Sequence, residues 1–488
     1  MSEDVIRIQE LILEDFQNVA KGEVQFPGNT KEGFFGSQSD VLGIYGQNGS
    51  GKTALLHALA VLKSALSGKA LGNEALHYIT QGKERAFIKA VFSIKHKNRQ
   101  FRLEYSMIMG RRPKFHTDGV PEKIRVQESP ADSGAGDETV LSTAVVEAES
   151  LKYAEFEDNR WSSRRTLAEC SLNRQDELLK PKKSLAELAN TQSRLDDLRL
   201  AKLLAARQGT SFLFSADMNR LAVGGSDVLS GFLSVMRNYA EYNLYIISSR
   251  GWGPITMNTG LPFHFRLEEQ ADEGTGRKIS MGVMMFRLDT PTVFPLAYSR
   301  LVEKTVISLN EVLSRVIPGM RLKLRRLGSQ LMQDGSEAIV FEPVTTRDGR
   351  PEQIPLRDES EGIKKLISML NMFVAAYHSP TMTLAIDEFD AGLHEYLLGE
   401  LLVQFRKGGK GQLIFTSHNL RPLECLDKRS IVFTTSNPEE RYIRLKNVKA
   451  NNNLRDVYYN QISNGINREL YEMSGDSRRP CHKTCSLE

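Results

Sequence analysis

The sequence predicts an α/β protein built around a mixed sheet, on three observations. Near the N-terminus an apolar strand runs through a glycine-rich loop into a helix. Far downstream a second apolar strand ends in two adjacent carboxylates, and from position 338 onward apolar β-type runs alternate with helical stretches. The chain has 488 residues, room for two or three folded units at about 150 residues each. Hydrophobic residues at 40% and charged residues at 25% exclude a fibrous or wholly disordered chain. Against 60 Asp and Glu, 64 Lys and Arg leave a net charge of +4, so any nucleic-acid surface must be local. No apolar run reaches the about eighteen residues of a membrane span, and the start MSEDVIRIQE lacks the basic and apolar regions of a signal peptide. The expected compartment is the cytoplasm, and the four cysteines (Cys170, Cys425, Cys481, Cys485) suit a reducing one. Cys481, His482 and Cys485 offer three zinc-type ligands in a polar tail, with a loose terminus as the competing reading.

Taken in order, Ile6 and Ile8, Leu11 and Leu13, then Val24 and Phe26 alternate with polar neighbours and predict strands. Positions 41–45 form a nearly continuous apolar run, the mark of a buried central strand. After the glycine loop, Leu55, Leu59, Leu62 and Leu66 recur at the helical period. Two more strands are expected at 86–94 and 101–108, and the Pro/Gly/Asp-rich stretch 130–137 reads as a surface loop or linker. From about 162 to 242 the texture turns helical. Leu185, Leu188, Leu195 and Leu198 make one stripe, and Val228, Leu229, Phe232, Val235, Met236 and Tyr239 another, too irregular for a long coiled coil and read as a compact insertion. A helix over 296–316, stopped by Pro318-Gly319, leads into a strand at 320–325. Runs at 338–341, 383–386, 412–416 and 431–434 are then separated by helices at 363–377 and 396–405.

Gly46-Gln47-Asn48-Gly49-Ser50-Gly51-Lys52-Thr53 matches the P-loop pattern between a predicted strand and helix. There the backbone N–H groups of Gly46, Asn48, Gly49, Ser50 and Gly51 cradle phosphates, Lys52 meets the β and γ oxygens, and the Thr53 hydroxyl holds Mg2+. A purely structural glycine turn is the competing reading. Thr383-Leu384-Ala385-Ile386-Asp387-Glu388 places two carboxylates at the C-terminal edge of a strand, beside the P-loop of a parallel sheet. Asp387 would support Mg2+ and Glu388 would act as general base on water, against a merely solvated acidic turn.

Asp358-Glu359-Ser360-Glu361-Gly362-Ile363, at the start of a helix, resembles the divergent signature segment of ABC-type ATPases. Phe389-Asp390-Ala391-Gly392-Leu393-His394 is similar to their D-loop, and the strand ending Thr416-Ser417-His418 resembles their switch-histidine strand. The order of motifs, the start 8–16, the wording GIYGQNGSGKTALL and the turn DEFDAGLH resemble the ATPase class grouped with overcoming-lysogenisation-defect proteins. Many members of that class are the ATPase component of Septu-like or retron-linked anti-phage systems. The resemblance covers about residues 1–110 and 335–435. It implies a P-loop ABC-type head with a mixed sheet, interrupted by a mainly helical insertion: an N-terminal lobe at 1–110, an insertion at 111–335, a C-terminal lobe at 336–450 and a tail at 451–488. It further implies ATP and Mg2+ as ligands, contact of Ser360 and Gly362 with γ-phosphate on a second protomer, contact of His418 with γ-phosphate, and a homodimer through composite sites that can assemble further. Gln127 is offered for the Q-loop, and no residue is assigned to stack on adenine.

Two functions follow from these residues and the resemblance. The first is an ATP-driven sensor and scaffold of an anti-phage system controlling a separate effector, because no Glu…Asp-x-Asp or His-Asn-His nuclease pattern is seen and only about 70 residues follow His418. The helical insertion is the expected partner surface. The second is a DNA-repair or chromosome-maintenance ATPase binding DNA ends, supported by Arg321, Lys323 and Arg325 alternating with Met320, Leu322 and Leu324. A solvated or paired basic face competes with it. The about 300 residues between Thr53 and Ser360 disfavour a membrane-transporter ATPase.

Overall fold

A computed structural model of the chain describes residues 4–27, 40–96, 99–113, 123–125, 138–140, 142–174, 177–189, 191–222, 228–247, 260–269, 278–287, 290–445 and 453–463. Gln127, the loop at 130–137 and the tail ligands Cys481, His482 and Cys485 lie outside the described residues.

The strand Asp40–Tyr45 is central to a six-stranded sheet in the order Leu244–Ile247, Thr383–Ile386, Gln412–Thr416, Asp40–Tyr45, Ile431–Thr434, Tyr442–Ile443. The first five run parallel and the last antiparallel. Both faces are covered, so alternate residues serve two cores: Leu42 and Ile44 join one, and Val41 and Tyr45 the other. The helix Lys52–Leu66 leaves the P-loop on the first face and buries Leu55, Leu56, Leu59, Leu62 and Leu66. At roughly 2 kcal/mol per buried leucine, that fixes the loop between a strand and a helix that are both anchored in the core.

Over this helix lies a seven-stranded antiparallel sheet. Its order is Arg165–Ser171, Ser142–Glu157, Arg99–Pro113, Arg85–His96, Val5–Phe16, Val19–Gln25, with Arg160–Trp161 added to Ser142–Glu157. On the opposite face the helices Glu361–His378 and Glu395–Gly408 cover the parallel sheet. Beside them Ser299–Val316 packs on a four-stranded antiparallel sheet made of Thr292–Pro295, Glu337–Arg347, Met320–Leu331 and Arg350–Pro355. No described helix is long and apolar enough to cross a membrane.

The middle of the chain departs from expectation in three ways. The stretch expected to be helical from 162 begins with a strand, Arg165–Ser171, because pairing with Ser142–Glu157 overrides local propensity. Helices begin only at Lys182–Leu188 and continue as Gln192–Gln208, Ala216–Ala222 and Val228–Tyr242, so the stripe drawn through Leu185, Leu188, Leu195 and Leu198 is split between two helices. Second, the range 111–335 is not set apart from the head. Leu244–Ile247 within it is the strand next to Thr383–Ile386, a run of four residues too short to weigh in a composition-based boundary. Third, the stripe on Val228–Tyr242 is mostly consumed internally, with Val228 left exposed: Phe232 meets Phe101 and Tyr239 meets Phe92, with ring centroids 5.3 Å and 6.0 Å apart. The run at 338–341 is likewise part of the four-stranded antiparallel sheet and not of the parallel one.

Candidate functional site

The C-terminal ends of the parallel strands open into a cavity of about 570 Å3. Asn48, Gly49, Gly51, Lys52 and Thr53 line it from the P-loop, Asp387, Glu388, Thr416 and His418 from the two neighbouring strand ends, and Gln17, Asn18, Ala54 and His57 complete it. The strand Gln412–Thr416 stands between the strand leading into the glycine loop and the acidic strand, which sets the width between that loop and the carboxylates.

The loop needs its glycines. Gly46 has φ +151°, and a Cβ there would sit 1.9 Å from Thr434 Oγ1. Gly51, at φ +97° in the left-handed region, starts the helix Lys52–Leu66 and faces the side chain of Arg441. Ser50 is buried, donates its hydroxyl to Gln47 O at 2.6 Å and bonds Thr434 Oγ1, so it braces the loop from inside. Lys52 Nζ donates to Gly46 O at 2.7 Å and Gln47 O at 2.8 Å, which holds the ammonium within the loop's own curve. Burial lowers its pKa, opposed by the charges of Asp387, Asp390 and Glu388.

The acidic pair is built by one threonine. Thr416 Oγ1 donates to Asp387 Oδ1 at 2.6 Å and accepts from Glu388 N at 2.8 Å. Glu388 itself sits at φ 51°, a left-handed conformation rare for a non-glycine residue that its surroundings must enforce. The next carboxylate, Asp390, accepts from His418 N at 3.1 Å and Asn419 N at 3.0 Å, tying the exposed His418 to the acidic turn. Thr53 and Asp387 present a hydroxyl and a carboxylate to the same cavity, a hard oxygen donor set that suits Mg2+ shared with phosphates. No cluster of three or more acidic, His or Cys ligands exists among the described residues.

Ser360 and Gly362 do not line this cavity. Ser360 is exposed at the N-cap of Glu361–His378, where its hydroxyl accepts from Ile363 N at 3.3 Å. The sequence reading missed several residues that shape the site. Asn18, in the turn between the first two strands, donates to Gly49 O, and Gln17 hydrogen-bonds His57 Nδ1 at 3.0 Å. His57 stacks on Tyr78 with centroids 4.7 Å apart, and Tyr442 donates to Gly51 O at 2.9 Å. The signal for His57 was available, since it lies four positions after Thr53 on the same face of the helix. Tyr442 and Asn18 reach the loop only through tertiary packing.

Residues 307–424 match the family model described as "AAA domain, putative AbiEii toxin, Type IV TA system", a span that holds the signature segment, the acidic strand and His418. The fold itself is mixed α/β. The chain is similar to the Smc head domain with an extended coiled coil bound to the C-terminal domain of ScpA, derived from Pyrococcus furiosus, at 13% identity and a TM-score of 0.40 over 90% of this chain and 96% of that one. The SMC head domain from Thermotoga maritima is similar at 13% identity and a TM-score of 0.34, over 90% and 99% of the two chains. The recombination mediator RecF with ATP, of the RecFOR pathway, is similar at 11% identity and a TM-score of 0.35, over 91% and 100%. No curated protein matches the sequence.

Proposed function

We propose that the chain binds ATP with Mg2+, hydrolyses it, and acts as the sensor and scaffold of an anti-phage system that controls a separate effector. The observation that supports hydrolysis is the convergence of Lys52, Thr53, Asp387, Glu388 and His418 on one cavity. Lys52 and the loop amides would hold the β- and γ-phosphates, and Thr53 and Asp387 would hold Mg2+, which would supply charge neutralisation on the transferring phosphoryl group. Glu388, fixed by its left-handed backbone and by Thr416, takes a proton from the attacking water as that oxygen bonds the γ-phosphorus and the β–γ bridge breaks. His418 steadies the γ-phosphate. The exposure of Ser360 outside its own cavity supports its use by a second copy, so that two heads close over two nucleotides as a homodimer. The words "putative AbiEii toxin, Type IV TA system" in the matching family description support a setting in which a toxic activity is kept under control.

A second reading, a DNA-repair or chromosome-maintenance ATPase, is favoured by the basic strand Met320–Leu331. Arg321 and Lys323 are exposed there with Met320 and Leu322 buried behind them, although Arg325 is paired with Glu342. Phage challenge tests the choice. Cells carrying the chain with its neighbouring genes should be protected, and Lys52→Ala or Glu388→Gln should abolish protection. Absence of protection, together with ATP-dependent retention of duplex DNA that Arg321→Glu and Lys323→Glu abolish, would select the second reading.

A further inference from the structure

The exposed serine of the signature segment follows immediately after a buried carboxylate. Glu359 is 8% exposed, while Ser360, the next residue, is exposed at the helix N-cap. The Glu359 carboxylate takes a bidentate pair from Arg347, with Nη1 to Oε1 at 2.8 Å and Nη2 to Oε2 at 3.0 Å, and also accepts from the Thr345 hydroxyl. Arg347 and Thr345 both belong to Glu337–Arg347, and this strand's turn is fixed to the preceding one by Asp348 N donating to Gly319 O at 2.8 Å. A parallel pair runs beside it: Glu342, 6% exposed, accepts from Arg357 at 2.9 Å and from Arg325. Two ion pairs therefore cross from the four-stranded sheet to the turn that carries Ser360, whereas the helix that follows is held chiefly by apolar packing.

Stability alone does not account for this arrangement. Burying the Glu359 carboxylate costs desolvation that its attraction to the partly exposed Arg347 guanidinium only roughly repays, so apolar residues of similar volume would stabilise the turn about as well. A bidentate pair does supply direction: two parallel hydrogen bonds fix both the distance and the tilt of the groups they join. Burial works to raise the Glu359 carboxyl, and Arg347 and the Thr345 hydroxyl outweigh it, so the group is held below the usual carboxylate range and stays charged.

The geometry points to Arg347 and Glu359 as a positioning pair that aims Ser360 at the nucleotide of a second protomer, with the four-stranded sheet as the lever that sets its register. This rests on the reading of Ser360 as a contact made in trans. Neither residue lines the cavity of its own chain.

Mixed dimers test it. In each, one chain carries Lys52→Ala, so turnover comes from the other chain's P-loop working with the signature of the Lys52→Ala chain. Arg347→Ala placed in the Lys52→Ala chain should lower kcat about tenfold or more with the KM for ATP little changed, the mark of an interaction realised in the transition state. Placed in the other chain, it should leave turnover at the level of the Lys52→Ala and wild-type pair. Arg347→Lys, which keeps the charge and loses the fork, should give an intermediate loss in the first placement only, and the exchange Arg347→Glu with Glu359→Arg should recover much of the rate. Loss of fold lowers turnover in both placements, so equal effects in the two, or no effect in either, overturn the proposal. Ser360→Arg in the same two placements separates the layers. If it shows no dependence on placement, the trans reading falls and the positioning role with it. If it shows that dependence and Arg347→Ala does not, only the positioning pair is wrong.

Discussion

Replacing Thr416 with valine removes one hydroxyl and little else, at a residue 1% exposed. That hydroxyl donates to Asp387 Oδ1 at 2.6 Å and accepts from Glu388 N at 2.8 Å. A hydrogen bond to a charged group contributes about 1.5–3 kcal/mol and a neutral one about 0.5–1.5 kcal/mol, so the pair is worth about 2–4.5 kcal/mol when valine keeps the shape and removes both bonds. The loss is also catalytic. Glu388 at φ 51° carries a backbone strain of about 1–3 kcal/mol that this contact helps to hold, and its release lets the carboxylate move off the water it must activate. Urea unfolding and ATP turnover at saturating Mg2+ and nucleotide measure the two effects side by side. Thr416→Val should lose about 2–4.5 kcal/mol of stability by this hydrogen-bond arithmetic. It should also lower kcat at least tenfold while still binding ATP, and Thr416→Ser should regain both. A Thr416→Val protein within about 0.5 kcal/mol of wild type and with normal turnover refutes the role given to this hydroxyl.

Three further outcomes are expected. Gly46→Ala should abolish nucleotide binding, because its Cβ would sit 1.9 Å from Thr434 Oγ1 and 2.9 Å from Thr434 O, and the second contact is with backbone that no rotamer change relieves. Gly49→Ala, at φ +78° in open space, should cost only about 1 kcal/mol, so isothermal titration with ATP should rank the two far apart. Burial, with Lys69 adding to it, pulls the Lys63 ammonium from 10.5 down to about 8. The folded state then binds fewer protons than the unfolded one between those values, so stability should rise by on the order of 3 kcal/mol from about pH 8 to about pH 10.5, and urea titrations of Lys63→Met should lack that rise. Deletion of 162–242 should unfold the protein rather than only release a partner, seen as loss of cooperative melting, since Phe232 and Tyr239 pack on Phe101 and Phe92.

The parts of the fold legible in the sequence were those where local pattern and burial agree. The run at 41–45 is apolar throughout because both of its faces are covered, and the leucines after Thr53 keep the helical period because one face of their helix is core. That the loop 46–53 and the pair Asp387-Glu388 meet at one cavity was legible because the P-loop pattern fixes residue types at set spacing between a strand and a helix, and the register of Ile386 opposite Phe415 brings Thr416 to the same end of the sheet. What failed was non-local. Arg165–Ser171 is a strand only because Ser142–Glu157 is beside it, and Leu244–Ile247 joins the parallel sheet through a partner about 140 residues away. Asn18 and Tyr442 reach the glycine loop through contacts between distant segments, which composition and periodicity do not encode.

The central claim is that the cavity beside Lys52 and Glu388 binds ATP and that Glu388 drives its hydrolysis. Radiolabelled ATP binding and turnover, measured in parallel on wild type, Lys52→Ala and Glu388→Gln with and without Mg2+, test it most directly. The account predicts Mg2+-dependent turnover by wild type, loss of tight binding in Lys52→Ala, and retained binding without turnover in Glu388→Gln, which keeps the phosphate cradle and loses the base. Equal binding by wild type and Lys52→Ala would contradict the site, and normal turnover by Glu388→Gln would contradict the base.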